Sequence, residues 1–379
     1  MKTRFAFVNG IWQLCMLVAA FRQEQQHNPH LYYRDYLILY SRKTSNQKLV
    51  DFVETISEKF WNWQGVIRVD WTTSEWNQEL DKDRHPSVQQ ILNKFKIASP
   101  SLVDEICLCK IQFLDERLCA DIFDKAKILL YEDGLHTYAQ TKYLIELPSV
   151  DLAHPKTTVA NYKNLVMGLL DNHFDWQHQG VKRTHIKRIK KFYSVLGGEI
   201  PVSSVLSKIP VDSIEPSLLK NLFLELNHRL QCQFYPEISI QNGKTALLLG
   251  SNLSHLHYFP RQAEASAFAH VIQQLAEKGY QIFWKEHPRN QKPLFEDIKQ
   301  IIPSNNIIYI QGEQKLPIEV LVSKNKIDIC CSTLSSSLFY LRYIYGIKTI
   351  TCVRPLLQFL TGDFRKLAEL TLTHVEETL

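Results

Sequence analysis

The sequence predicts an α/β protein of two Rossmann-like domains facing across a cleft. Three observations predict it. A chain of 379 residues is long for one core, so two domains are the default. Apolar runs alternate with helical patterns in both halves, which argues for parallel, doubly wound sheets. In each half, one such run ends in residues able to handle a proton. Lys127-Ile-Leu-Leu-Tyr131 leads into Glu132-Asp133-Gly134, and Tyr280-Gln-Ile-Phe-Trp-Lys285 leads into Glu286-His287-Pro288-Arg289. Ligands of open α/β sheets sit beyond the carboxyl ends of the strands. An acid and a histidine there, in separate domains, are expected to meet across the cleft, one to take a proton and one to give it.

Taken in order, strands are expected at 4–8, 36–40, 66–69, 106–111 and 128–131, with helices between them at 47–61 and 88–95. Residues 141–230 carry few strand signals and read as helical, with turns at Pro148, Pro155, Gly197-Gly198, Pro201 and Pro210. They are assigned to the end of the first domain and a connector, giving domains of 1–235 and 236–379. The second block opens with a strand over 245–250, a polar loop over 251–260 and a helix over 262–278. Strands follow at 280–284, 307–310, 327–331 and 347–353, with helices near 294–302, after the serine cluster to 345, and from 363.

Composition narrows the classes. Hydrophobic content of 45% and charged content of 22% describe an ordinary globular protein. A net charge of +5 does not point to nucleic acid as a partner; it suits anionic small ligands, an acidic polymer or an anionic membrane surface. Six Lys/Arg fall within Lys182–Lys191. That run reads either as a solvated helix face or as a track for an acidic glycan or lipid headgroup. The eight cysteines form no paired zinc frame and fit free thiols in a reducing compartment. Lys2 and Arg4 before Phe5-Ala-Phe-Val8 look like the opening of a signal peptide, but Asn9, Gly10 and Gln13 interrupt the apolar stretch. The expectation is a cytoplasmic protein, at most peripheral to the inner membrane.

The chemistry rests on short constellations. A carboxylate leaving an apolar strand is near low dielectric, which raises its pKa toward that of a useful base. Gly134 permits the turn that exposes it, although Asp-Gly is also an ordinary turn pair. The chain has two other His-Pro pairs, at His85 and His154; only His287 follows a clear apolar strand and has Lys285 and Arg289 beside it to hold a phosphate. Ser332, Thr333, Ser335, Ser336 and Ser337 lie between a strand and a helix, where hydroxyls and N–H groups make an anion site or simply a helix cap. Glu319 after Pro317 can reach ribose hydroxyls or be a plain first-turn glutamate. There is no GxGxxG and no Walker A sequence, and the lone Asp81-Lys-Asp83 lies in a polar stretch, so no metal is implied.

In this order, Glu132-Asp133-Gly134, His287-Pro288 and Ser332–Ser337 resemble the motifs of the bacterial sialyltransferases and polysialyltransferases of capsule and lipooligosaccharide synthesis. The turn Asn9-Gly10-Ile-Trp12-Gln13-Leu14 is similar to that family's first strand–helix junction. The resemblance implies a GT-B fold, an acceptor domain followed by a CMP-sugar domain, and inverting transfer without metal or cofactor. It implies Asp133 as the base, with Glu132 as an alternative, and His287 as the group that protonates or hydrogen-bonds the departing phosphate. Gly10, Gln13, Glu132, Gly134, Gly250, Lys285, Pro288, Arg289, Glu319 and the five hydroxyl residues are then expected to line the substrates, a CMP-linked nonulosonic acid and a glycan acceptor. Two other classes stay open: a capsule or teichoic-type GT-B transferase with another nucleotide donor, and a non-catalytic glycan-binding descendant.

Overall fold

The computed structural model describes residues 1–41, 47–70, 86–109, 119–134, 138, 183–197, 209–229, 243–287, 290, 292–302, 307–310 and 316–376. The chain divides into two compact units, Met1–Ile214 and Glu215–Leu379.

The first unit is built on a seven-stranded sheet. Its strands are β1 (Lys2–Val8), β2 (Tyr33–Ser41), β3 (Gly65–Asp70), β4 (Glu105–Leu108), β5 (Lys127–Tyr131), β6 (Ile189–Ser194) and β7 (Val211–Ser213). They lie in the order β3-β2-β1-β4-β5-β6-β7, all parallel. Parallel strands covered on both faces read as continuous apolar runs; β1 is buried from Thr3 to Val8 and apolar over Phe5–Val8. Phe5 and Phe7 pack with Phe123 and Ile106 on one face. Helix α1 (Ile11–His27) follows β1 and is buried along most of its length. At the amino end of β1, the Arg4 guanidinium bonds Asp35 at 2.7 Å and Glu24 at 2.5 Å and lies 3.6 Å from the Phe21 ring centroid.

The second unit holds a five-stranded parallel sheet in the order β10-β9-β8-β11-β12. These strands are β8 (Lys244–Leu249), β9 (Tyr280–Lys285), β10 (Ile307–Tyr309), β11 (Ile329–Ser332) and β12 (Lys348–Thr351). Trp284, Phe268 and Phe295 centre its core, with Phe268 edge-on to Trp284 at 4.8 Å.

Three sequence expectations are corrected here. Residues 189–194 and 211–213 are strands, not helix; the first follows a basic run of helical appearance and the second is too short to show alternation. The basic run is not a single helix face. It is a short helix, Arg183–Arg188, running into β6, and several of its side chains are engaged inside the unit. Arg188 donates to the carbonyls of Phe123, Ala126 and Ala120, Lys191 pairs with Asp212, Lys190 pairs with Glu105, and buried His185 pairs with Asp121. Finally, the division falls after Ile214, not at 235/236, because the helix Pro216–Arg229 packs on the second unit. It buries Leu219, Leu222, Phe223 and Leu226, and Asn227 donates to the Val320 carbonyl at 2.7 Å.

Candidate active site

In each sheet the strand order reverses once, and such a reversal opens a crevice beyond the carboxyl ends of the two strands beside it. In the first unit the reversal lies between β1 and β4. Gly10 caps the start of α1 in an extended conformation, and a Cβ built there meets no atom of the described residues within 4 Å. Gln13, in the first turn of α1, is buried. Its Oε1 accepts the Asn9 N–H at 2.7 Å, and its Nε2 donates to Asp133 Oδ1 at 3.0 Å and to Cys109 Sγ at 3.2 Å. A backbone N–H needs an acceptor and a carboxylate needs a donor, so chemistry fixes the amide orientation. Gln13 thereby joins the loops leaving β1, β4 and β5.

Glu132 and Asp133 have opposite fates, as neighbours beyond an extended strand do. Glu132 is wholly buried. Its Oε2 accepts from the N–H groups of Val195 (2.7 Å) and Leu196 (3.3 Å), from Ser194 Oγ (3.0 Å) and from Tyr138 Oη (2.5 Å). Burial and the Glu132 carboxylate push the Tyr138 phenol upward, so it stays a donor. Glu132 is committed to holding the segment after β6, which corrects its expected place among substrate contacts and as the alternative base. Asp133 is half-buried, and Gly134 follows it at φ +93°, a conformation that favours glycine.

In the second unit the reversal lies between β8 and β11. Gly250 serves packing: a Cβ there would come 3.0 Å from Glu286 Oε1 and 3.1 Å from the Trp284 ring. Of the hydroxyl residues, Ser332 and Thr333 are buried and face inward. Ser332 Oγ donates to the Leu249 carbonyl at 2.8 Å and Thr333 Oγ1 to Glu264 Oε1 at 3.2 Å. Gly250, Ser332 and Thr333 thus shape the loops rather than present groups to a ligand. Ser335, Ser336 and Ser337 are half-buried at the start of the helix Ser336–Tyr345, with Ser335 Oγ accepting the Ser337 N–H.

Lys285 ends β9 and is buried. Burial pulls its pKa down to about 8, against the opposing pull of Glu319 and Glu286. Glu319 is buried too; desolvation raises its pKa, while its own N–H, the Ser337 hydroxyl and Lys285 act in the other direction. His287 is half-buried and its carbonyl accepts the Asn290 N–H at 3.0 Å. Pro288 and Arg289, and Asp81-Lys-Asp83, lie outside the described residues. Sequence reasoning missed Glu264 and Asn290, which join these loops, because a buried first-turn glutamate has no local signature separating it from a solvated one. It also missed an open pocket of about 610 Å³ beside the loop after β8, lined by His255, His257, Tyr258, Lys292 and Phe359. Among the described residues, no group of three or more His, Cys, Asp or Glu side chains is placed to hold a metal ion, and no helix is long and apolar enough to cross a membrane.

The profile of the alpha-2,8-polysialyltransferase (POLYST) family matches residues 4–354. The chain belongs to that family. The polysialyltransferase family makes the protein a glycosyltransferase concerned with sialyl transfer. Its fold is that of the GT-B glycosyltransferases. A Photobacterium 2,6-sialyltransferase, solved in a ternary complex with CMP as donor product and lactose as acceptor substrate, is similar in structure. The TM-score is 0.53 at 12% identity, covering 99% of this chain and 78% of that one. A UDP-GlcNAc 2-epimerase from Methanocaldococcus jannaschii gives a TM-score of 0.51 at 12% identity, covering 98% and 92%. These likenesses speak to fold alone. No curated protein matches the polysialyltransferase-family chain in sequence.

Proposed function

We propose that the protein transfers sialic acid or a related nonulosonic acid from a CMP donor to a glycan hydroxyl, with inversion and without a metal ion, in bacterial capsule or lipooligosaccharide synthesis. The observation that carries the reading is the contrast at the end of β5: Glu132 is sealed inside the unit, while Asp133 is held by Gln13 and only half-buried.

In this reading the acceptor hydroxyl oxygen attacks the anomeric carbon and Asp133 takes its proton. The bond from that carbon to the phosphate oxygen breaks, and the electron pair leaves with CMP. His287 donates a proton or hydrogen bond to the departing phosphate. Charge developing on that phosphate is met by fixed positive groups. Lys285 and Arg289 supply cations, and the N–H groups and hydroxyls of Ser335, Ser336 and Ser337 supply donors at a helix start. Glu319 faces the ribose or orders Lys285 and Ser337. Gly10 leaves room for the acceptor.

The test is turnover of a panel of CMP-, UDP- and GDP-sugars by purified protein with glycan acceptors. Release of CMP from a CMP-nonulosonate, with a lengthened glycan, is the expected result. Preference for a UDP- or GDP-sugar assigns another donor, and binding without turnover assigns a glycan-binding descendant.

A further inference from the structure

The donor contacts proposed for the second unit sit on three loops, which leave β8, β9 and β11. Two side chains join them. Glu264, from the first turn of the helix Arg261–Glu277, is fully buried. Its Oε1 accepts from Ser251 Oγ at 2.5 Å and Thr333 Oγ1 at 3.2 Å, and its Oε2 accepts from Ser254 Oγ. Ser251 Oγ gives its single proton to Glu264 and accepts the Leu253 N–H at 3.2 Å on a lone pair. Ser251 and Ser254 belong to the loop after β8, and Thr333 to the loop after β11. One carboxylate therefore spans the reversal point of the sheet. Asn290 brings in the third loop: its Nδ2 donates to the Ser251 carbonyl at 2.9 Å and to Glu286 Oε1 at 2.7 Å, while its N–H donates to the His287 carbonyl.

A carboxylate accepts several hydroxyl donors without needing a donor of its own. A glutamine at this place must turn an NH₂ toward one of the loops. Glu264 touches no open surface, so its influence on the reaction must pass through the loops it holds.

We propose that Glu264 is a positioning residue for sialyl transfer. It sets the spacing between the loops after β8 and β11 and, through Ser251 and Asn290, the placement of His287. The donor phosphate then meets the helix start at Ser335–Ser337 in one geometry. This rests on the reading of those loops as the donor site.

The experiment compares Glu264→Gln and Glu264→Asp with Leu275→Ala, a buried residue near the far end of the same helix. The readouts are backbone amide exchange over 251–254 and 333–337, the CMP dissociation constant, and KM for donor and acceptor separately. Glu264→Gln is expected to speed exchange in both segments and to weaken CMP by about 10- to 100-fold, the scale of one lost hydrogen bond to a charged phosphate. Donor KM rises while acceptor KM holds, and Glu264→Asp recovers part of the loss. Leu275→Ala lowers the melting temperature at least as much and leaves CMP binding unchanged. The proposal fails if Glu264→Gln lowers only the melting temperature, or if only one of the two segments loosens. Should Glu264→Gln not fold, Glu264→Asp against Leu275→Ala decides by the same readouts. If the wild type prefers UDP or GDP to CMP, the donor assignment fails, and exchange together with affinity for the preferred nucleotide still decides the role of Glu264.

Discussion

Gln13 and Asp133 are 120 residues apart in the chain and share a hydrogen bond of 3.0 Å. The amide that makes it is itself fixed by the Asn9 N–H at the end of β1, so the carboxylate is aimed by the backbone of another strand. Hydrogen bonds to charged groups contribute roughly 1.5–3 kcal/mol. Replacing Gln13 by methionine, which keeps the bulk and removes the amide, is expected to lower kcat by about 10-fold or more, with CMP affinity nearly unchanged. Steady-state kinetics beside CMP calorimetry check this; equal loss in both would assign Gln13 to the fold alone.

The proposed proton-handling pair, Asp133 and His287, carries a larger expectation. General acids and bases typically contribute about 10²–10⁴-fold, so Asp133→Asn and His287→Ala should each lower kcat on that scale. CMP binding should weaken little in Asp133→Asn. Thermal melts confirm folding. Wild-type turnover in either variant removes that residue from the mechanism.

Glu132 should behave in the opposite way. Its removal takes the shared acceptor from the buried Val195 N–H, leaves the Leu196 N–H with Tyr138 alone, and leaves the Ser194 and Tyr138 hydroxyls with each other. Glu132→Ala should cost on the order of 2–4 kcal/mol of stability, while kcat per folded molecule changes little. Denaturant titration and active-site counting separate the two. A collapse of kcat at intact stability would return Glu132 to the chemistry.

Lys285 gives a pH signature. Its folded pKa, about 8, is below the ordinary 10.5. Between those values the unfolded chain binds the extra proton, so this residue makes stability rise with pH from about 8 to 10.5, and its burial penalty is fully present below about 8. Lys285→Met should flatten that rise in chemical denaturation. If a phosphate binds beside Lys285, it favours the charged form, so CMP binding near pH 8 should take up a proton and weaken at higher pH. Calorimetry in buffers of different ionisation enthalpy measures the uptake; none, with unaltered affinity, would move the phosphate elsewhere.

Turnover should survive EDTA, because Lys285, Arg289 and the helix start at Ser335–Ser337 are proposed to carry the phosphate charge. Loss of turnover on chelation, restored by magnesium or manganese, would overturn this.

The sheets were legible because parallel strands are apolar from end to end, as Phe5-Ala-Phe-Val8 and Ala246-Leu-Leu-Leu249 are. The placement of Asp133 and His287 just beyond strand ends was legible because they follow such runs. The partition of labour around them was not. Nothing in Glu132-Asp133-Gly134 says which carboxylate turns inward; that depends on N–H groups at Val195 and Leu196, more than sixty residues on. The same holds for Ser332 and Thr333, whose partners at Leu249 and Glu264 are supplied by the fold. The basic run misled because charge alone does not reveal that Arg188 is pointed at three carbonyls.

The helix Pro216–Arg229 bears on how the protein can be cut. A fragment starting at 236 would leave the helices Ile318–Val322 and Ser336–Tyr345 without the apolar cover of Leu219, Leu222, Phe223 and Leu226. Those two helices carry Glu319 and Ser337, so such a fragment would aggregate and displace two residues proposed to meet the donor at once. Expression of the second unit in isolation should begin at Glu215, where solubility and an independent melting transition are the expected reward.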